Sequence, residues 1–430
     1  MGIKSKIKGV VGEKNVERIQ NLKAVLKYIK SNRPGCPTRF SLRSDDWKEP
    51  MIFSQPDKHV FFGYYDIQQL NRQQDKLLVT IIPQKADTKR DVAELQWIDL
   101  ESGTYHPIGT TSAWCWQQGA RLRWHPTMDD VVLYNDVDKD HYVTRVYDLK
   151  EQREIDVFPL ALYDISPDFQ YGLSLNYPRL QRLRPGYGYN TLPDKTESDK
   201  VPAEDGIFLV DLKNHTTKCI ISYEELIDHT PNARDEWNYI NHISICPDGS
   251  RFIFFHLYTP EIGAHWKTKL YTAKLDGTEL QCLEEEYVTS HYCWKNNNEL
   301  LTTSAGFNGS RSYYIYYNIA NGSREIIESE YLTHDGHPTY LSDGEHFVAD
   351  TYPLKNCMQQ LFISSVNGKY FEPICSIYSD PRMFKEKRCD LHPRITPDGK
   401  YLTIDTTCKD GKRSVWLFEN KKGKIDFDNL

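Results

Sequence analysis

No apolar run in the 430-residue sequence is long enough to cross a bilayer or to form the core of an export signal. The mean hydropathy of −0.63 agrees, so the expectation is a soluble, cytoplasmic chain. The ten cysteines are scattered and include no CxxC pair, so a reduced, cytosol-like compartment is expected. Helical patterns are scarce after residue 33. The myristoylation pattern fails because Ser5 falls one position too early. A net basic charge is also lacking outside the first 33 residues, where acidic residues outnumber basic ones, which argues against a nucleic-acid-binding core.

What is present begins with that basic head. Nine basic and two acidic residues give positions 1–33 a net charge of +7, leaving −14 for the rest of a chain that is −7 in all. Ile3, Ile7 and Val11, then Ile19, Leu22, Leu26 and Ile29, recur at helical spacing opposite a lysine-rich face. Such a helix suits an anionic membrane surface, or packs on the body with its lysines solvated. NRPGCP (32–37) is rich in helix breakers, and residues 34–50 read as a linker.

From residue 51 the pattern is β. The stretch RITPDGKYLTID (394–405) joins a Pro-Asp-Gly turn to an alternating, half-buried strand. Related units start near residues 62, 120, 162, 241, 290, 336 and 391. Each is followed by a second turn, such as DLESG (99–103) or NIANG (318–322). Two hairpin turns per unit give four strands, and seven such units predict an all-β, seven-bladed β-propeller over 51–425 behind an N-terminal amphipathic helix. The one wide gap holds RLRPGYGYNTLPDKTESDKVPAEDG (182–206), read as a long loop on one face. The 28 tyrosines suit strands and carbohydrate surfaces.

Six residues before the turn Asp lie His242, His337 and His392, and His291 stands six before Asn297 in the same turn. The strand before this turn lines a propeller's channel, so four imidazoles on adjacent blades face one another there. Converging imidazoles suit zinc, with Cys389 as a further ligand and Asp335 and Asp390 orienting the rings. The alternative is that the histidines pack or bind water.

A second group is basic and aromatic. Arg121, Arg123, Trp116 and His125 lie in WCWQQGARLRWHP, Arg182, Arg184, Tyr187 and Tyr189 lie in the insertion, and Tyr64 heads the first unit. Guanidinium groups beside aromatic platforms suit sugars that carry carboxylate or sulfate. The alternative is that the tryptophans plug blade interfaces, whereas Arg184 and Tyr187 read as exposed loop residues.

HVFFGYYDI, RPGYGY followed by DGIFLVDL, NHISICPDG, SHYCW, DGHPTYLSDGEHFVADTYP and RCDLHPRITPDGK resemble the seven-bladed propellers of the ulvan-lyase type. The resemblance covers about residues 50–418. It implies β-elimination at a uronate. An arginine neutralises the carboxylate, and His or Tyr groups move the protons. It also implies a structural zinc. Where it places two histidines on the second blade, the sequence has Trp116 and Asp136, with His106 and His125 nearby. Tyr187, Tyr189, Arg184 and His125 are therefore the candidate catalytic residues, and Arg121, Arg123, Arg182, Tyr64 and Trp116 the candidate binding residues. Three readings follow. One is a propeller that recognises acidic polysaccharide at the inner membrane face during capsule or exopolysaccharide synthesis. Another is an active uronate lyase. The third, a protein-interaction scaffold of the WD type, lacks its Trp-Asp dipeptide.

Overall fold

The computed structural model describes residues 13–33, 39–306 and 311–425. Its strands form seven antiparallel sheets, the expected seven-bladed β-propeller. Two short strands, β1 (Phe40–Leu42) and β2 (Met51–Phe53), precede the first blade. Blades one to six then follow as β3–β6 (58–111), β7–β10 (123–158), β11–β14 (162–222), β15–β18 (237–284), β19–β22 (288–326) and β23–β26 (339–378). The seventh has β27 (Arg394–Ile395), β28 (Tyr401–Thr406) and β29 (Ser414–Glu419) from the C-terminal end. Its fourth strand is β2, which pairs with β29 through Met51↔Leu417 and Phe53↔Val415. Among the described residues, the ENKKG turn at 419–423 therefore leads to no fourth strand of its own. The stretch expected as a linker is also partly structured. It carries β1, a fifth strand on blade six, and Trp47, which is buried beside that blade.

The turns follow the sequence logic. Asp398 accepts the Thr396 hydroxyl at 2.7 Å and the Lys400 N–H at 3.1 Å, and Gly399 takes a φ of +72°. The strands depart from it. The second strands, such as β28 and β24 (His346–Asp350), are buried on nearly every residue rather than every other one. Blades stack face to face, so these strands meet a neighbour on both sides. Outer strands such as β14 (Thr216–Ser222) are mostly exposed or half-buried.

Three α-helices are described. Helix α1 (Glu13–Ser31) lies against the body through half-buried Tyr28, whose ring is 3.8 Å from the Arg382 guanidinium, and through Ser31, 3.0 Å from the Tyr378 hydroxyl. The part of the predicted helix before residue 13 lies outside the described residues. Helix α2 (Tyr177–Leu183) opens the insertion, its N-terminus capped by Asn176 accepting from the Arg179 N–H. Helix α3 (Tyr223–His229) is capped by Ser222. The insertion joins β12 (Tyr171–Ser174) to β13 (Gly206–Asp211). His337 and His392 stand just before their innermost strands, whereas His242 and His291 lie within theirs. The insertion reaches the histidines through Tyr187, whose ring is 5.8 Å from that of His242.

Candidate metal centre and the face around it

Backbone irregularities place the histidines. In β15 (Trp237–Ile245) the register shifts between Asn241 and Ser244, and His242 has a φ of +56°. In β19 (Val288–Trp294) the shift falls between Thr289 and His291. His392 has a φ of +48° just before β27, and His337 precedes β23 (Thr339–Tyr340). Bulges re-aim side chains, and those in β15 and β19 place His242 and His291 in the channel beside His337 and His392, all four imidazoles being buried.

Three of the rings form a tight group. His291 and His337 are 4.0 Å apart between centroids, and His337 and His392 are 4.4 Å apart. Each holds its Nδ1 on an oxygen: His291 on Asp335 at 3.0 Å, His337 on Asp350 at 2.8 Å and His392 on the Gly63 carbonyl at 2.6 Å. Nδ1–H donates in each case, which leaves the lone pair on Nε2, that of His291 facing the Tyr352 hydroxyl at 3.4 Å. Nε2 of His392 is buried without a partner among the described residues. The ligating atoms of His337, Asp390 and His392 all lie within 4.8 Å of one another. Imidazoles with fixed tautomers, a carboxylate and an orphaned buried nitrogen fit a divalent first-row metal.

His242 stands apart, 6.3 Å from His291, with the Tyr64 ring stacked on it at 5.1 Å. Tyr64 lies on the loop between β3 (Lys58–Phe61) and β4 (Lys76–Pro83), which enters the channel. Gly63 permits the entry, because a Cβ there would stand 2.9 Å from the Gln118 backbone. The Tyr64 ring also lies 4.8 Å from His392 and 6.1 Å from His337, and its hydroxyl is 3.4 Å from His242 Nε2. Tyr65 beside it exchanges hydrogen bonds with the Tyr292 backbone, both at 2.8 Å.

The charges oppose one another. Burial first, then His291 and Arg184, push the His242 pKa well below the usual imidazole range. Burial and then His337 push His392 down. Burial also disfavours charge on His337, but Asp350, Asp390 and Asp335 outweigh it and raise its pKa. Asp390 is held low despite burial, chiefly by Arg388.

Above the histidines lie Tyr187, 5.8 Å from His242, and Tyr352, 6.0 Å from His291. Arg184 is half-buried between the Tyr187 and Trp266 rings at 4.7 and 4.2 Å. Its Nε has no partner, and no carboxylate pairs with it among the described residues. Arg388 stacks on Tyr352 and grips Asp390 at 2.7 and 2.8 Å.

The other expected residues are placed elsewhere. Arg121 is buried, bonded to both oxygens of Asp66 at 3.0 Å and to the Tyr163 carbonyl, so none of its donors faces a ligand. Arg123 is tied to Asp164 and the same carbonyl, and Arg182 to Asp194. Trp116 is packed among His59, Trp114 and Arg413. His125 accepts the Thr127 and Met128 N–H groups in a turn. Tyr189 lies flat on Tyr177 at 4.2 Å and accepts from Asn135. Cys389 is buried, its thiol pushed up to about 12 by burial, with Sγ 3.8 Å from the Asp390 carbonyl. Tyr187 is buried rather than exposed. Tyr352, Arg388 and Trp266 join the site without having been read as site residues in the sequence. The only signal for Arg388 was its place in the polar run RCDLH.

No protein-family model matches this sequence, and no curated protein sequence matches it. Solved structures do. An oligogalacturonate lyase in complex with manganese superposes with a TM-score of 0.62 at 14% identity, covering 90% of this chain and 99% of that one. The oligogalacturonate lyase from Vibrio parahaemolyticus gives 0.62 at 13%, with the same coverage. The likeness is one of fold. It supports the propeller architecture, and at that identity it transfers no residue roles.

Proposed function

We propose that this face binds a uronate-containing polysaccharide and cleaves it by β-elimination beside a divalent metal. The observation that carries the reading is the union of three oriented imidazoles and Asp390 with Arg184, a guanidinium that no carboxylate pairs among the described residues, and a neutral imidazole, His242. His291, His337, His392 and Asp390 would hold the metal. A metal held there would supply a positive charge toward a uronate carboxylate, which favours loss of the neighbouring C5 proton. Zinc is the metal expected from the sequence, and manganese suits nitrogen and oxygen donors as well.

The chain's own residues supply the rest. Arg184 pairs with the carboxylate through two parallel hydrogen bonds. Tyr187 and Trp266 flank it with ring faces for the sugar. His242, kept neutral by burial, takes the C5 proton. The electron pair of that bond becomes the C4=C5 double bond, and the C4–O bond breaks. Tyr187, in edge contact with His242, returns a proton to the leaving oxygen. That the polysaccharide belongs to a capsule or exopolysaccharide rests on the sequence reading alone.

Incubation with a panel of uronate-containing polysaccharides tests this. The unsaturated product absorbs in the ultraviolet, and His242→Ala should abolish its appearance while leaving binding intact. Binding without new absorbance would leave a recognition module and remove the lyase. Preference for neutral glucans over polyuronates would remove both.

A further inference from the structure

We propose that α1 docks the propeller onto an anionic membrane surface and turns the candidate site toward the headgroups. Ile19, Leu22, Val25, Leu26 and Ile29 are 43–59% exposed, and they make five of the eleven large hydrophobic residues exposed among those described. Their spacing of three, three, one and three puts them on one side of the helix. The side toward the body is already used. Ala24 is buried, Tyr28 stacks against Arg382, Ser31 meets Tyr378, and Glu17 pairs with Lys385 at 3.8 Å.

Charge selects the occupant. Positions 13–33 hold six basic and two acidic residues, while the chain beyond residue 33 is net −14. Exposed Lys23 and Lys27 flank the apolar stripe. Apolar side chains edged by lysine suit the boundary between acyl chains and anionic headgroups. A second copy of the helix would set lysine against lysine. An acidic protein would satisfy the lysines and leave five apolar side chains in water. The acidic body is itself repelled by an anionic bilayer, so only this edge is drawn in.

The helix also fixes which face approaches. Arg382 and Lys385, which it touches, lie on the loop 379–393, and the same loop delivers Arg388, Asp390 and His392 to the site. A docked α1 therefore brings the site's own loop to the membrane. The substrate would then be a glycan presented at the bilayer surface, an addition to the lyase reading that the docking itself does not need.

Sedimentation of the full chain with phosphatidylcholine vesicles, with and without phosphatidylglycerol, tests the proposal. Binding should require the anionic lipid and weaken with salt. Leu22→Asp with Leu26→Asp should abolish it without lowering the melting temperature. Lys23→Ala with Lys27→Ala should weaken it roughly twenty- to thirty-fold. Hydrogen exchange on the bound protein should show protection in α1 and the loop 379–393, and none at the opposite-face turn 397–399. Equal binding to neutral vesicles, binding unaffected by Leu22→Asp with Leu26→Asp, or protection at 397–399 would overturn it. So would a dimer that the aspartates dissolve in a protein that ignores vesicles.

Discussion

His392 combines a left-handed backbone with a buried, unpartnered Nε2. Such a conformation costs on the order of 1–3 kcal/mol and persists only where the surroundings impose it. A bound ion would supply the missing partner. Two arginines separate use from structure at the same scale. Arg184→Lys and Arg184→Ala should both raise KM for polyuronate roughly ten- to a hundredfold with little change in melting, since neither keeps the planar fork. Arg121→Ala should instead cost about 3–5 kcal/mol of stability, because it strands the Asp66 carboxylate in the interior. Denaturant titration beside steady-state kinetics distinguishes the two. His59 provides a pH test away from the site. It accepts the Arg413 N–H at Nδ1, and burial followed by the Arg413 charge lowers its pKa from 6.5 to about 4. A depressed imidazole adds stability above its unfolded pKa and loses it as pH falls toward the folded one. Urea midpoints taken at about pH 7 and about pH 5 should show wild type losing roughly 2 kcal/mol more than His59→Asn.

At the scale of the element, closure of the ring depends on three residues far from their partners in sequence. Phe53 of β2 is buried, whereas Ile52 is 40% exposed. Phe53→Ala should cost about 3 kcal/mol and Ile52→Ala under about 1 kcal/mol in chemical unfolding. Equal losses would mean that β2 is not the seventh blade's outer strand. This closure was not legible in the sequence, because a three-residue MIF run carries no period and its register is set by β29. The helix α2 was hidden similarly. Its last two residues, Arg182 and Leu183, fall in the stretch read as loop, yet Pro178 suits the first helical turn and Asn176 caps it. The turns were legible, because Asp and Gly act locally there.

For the whole molecule, the seven-fold repeat made the propeller readable, since each unit must bury its faces against the next. The same repeat exposed the histidine register, because counting back from a turn preserves position in the blade. The rest of the site comes from elements outside the repeat. Tyr352 and Asp390 stand on connections of unequal length, and Trp266 comes from another blade. The arginines of WCWQQGARLRWHP looked like those of a binding face because sequence does not reveal that Asp66 and Asp164 lie across from them.

The central claim is that His291, His337 and His392 form one metal centre with Asp390. Elemental analysis of protein purified without added metal tests it most directly, with His291→Ala, His337→Ala and Cys389→Ser prepared alongside. The account predicts about one divalent ion per chain, lost with lower melting temperature in both histidine variants and retained in Cys389→Ser. A metal-free wild type, or an ion that survives loss of His337 and departs with Cys389, would contradict it.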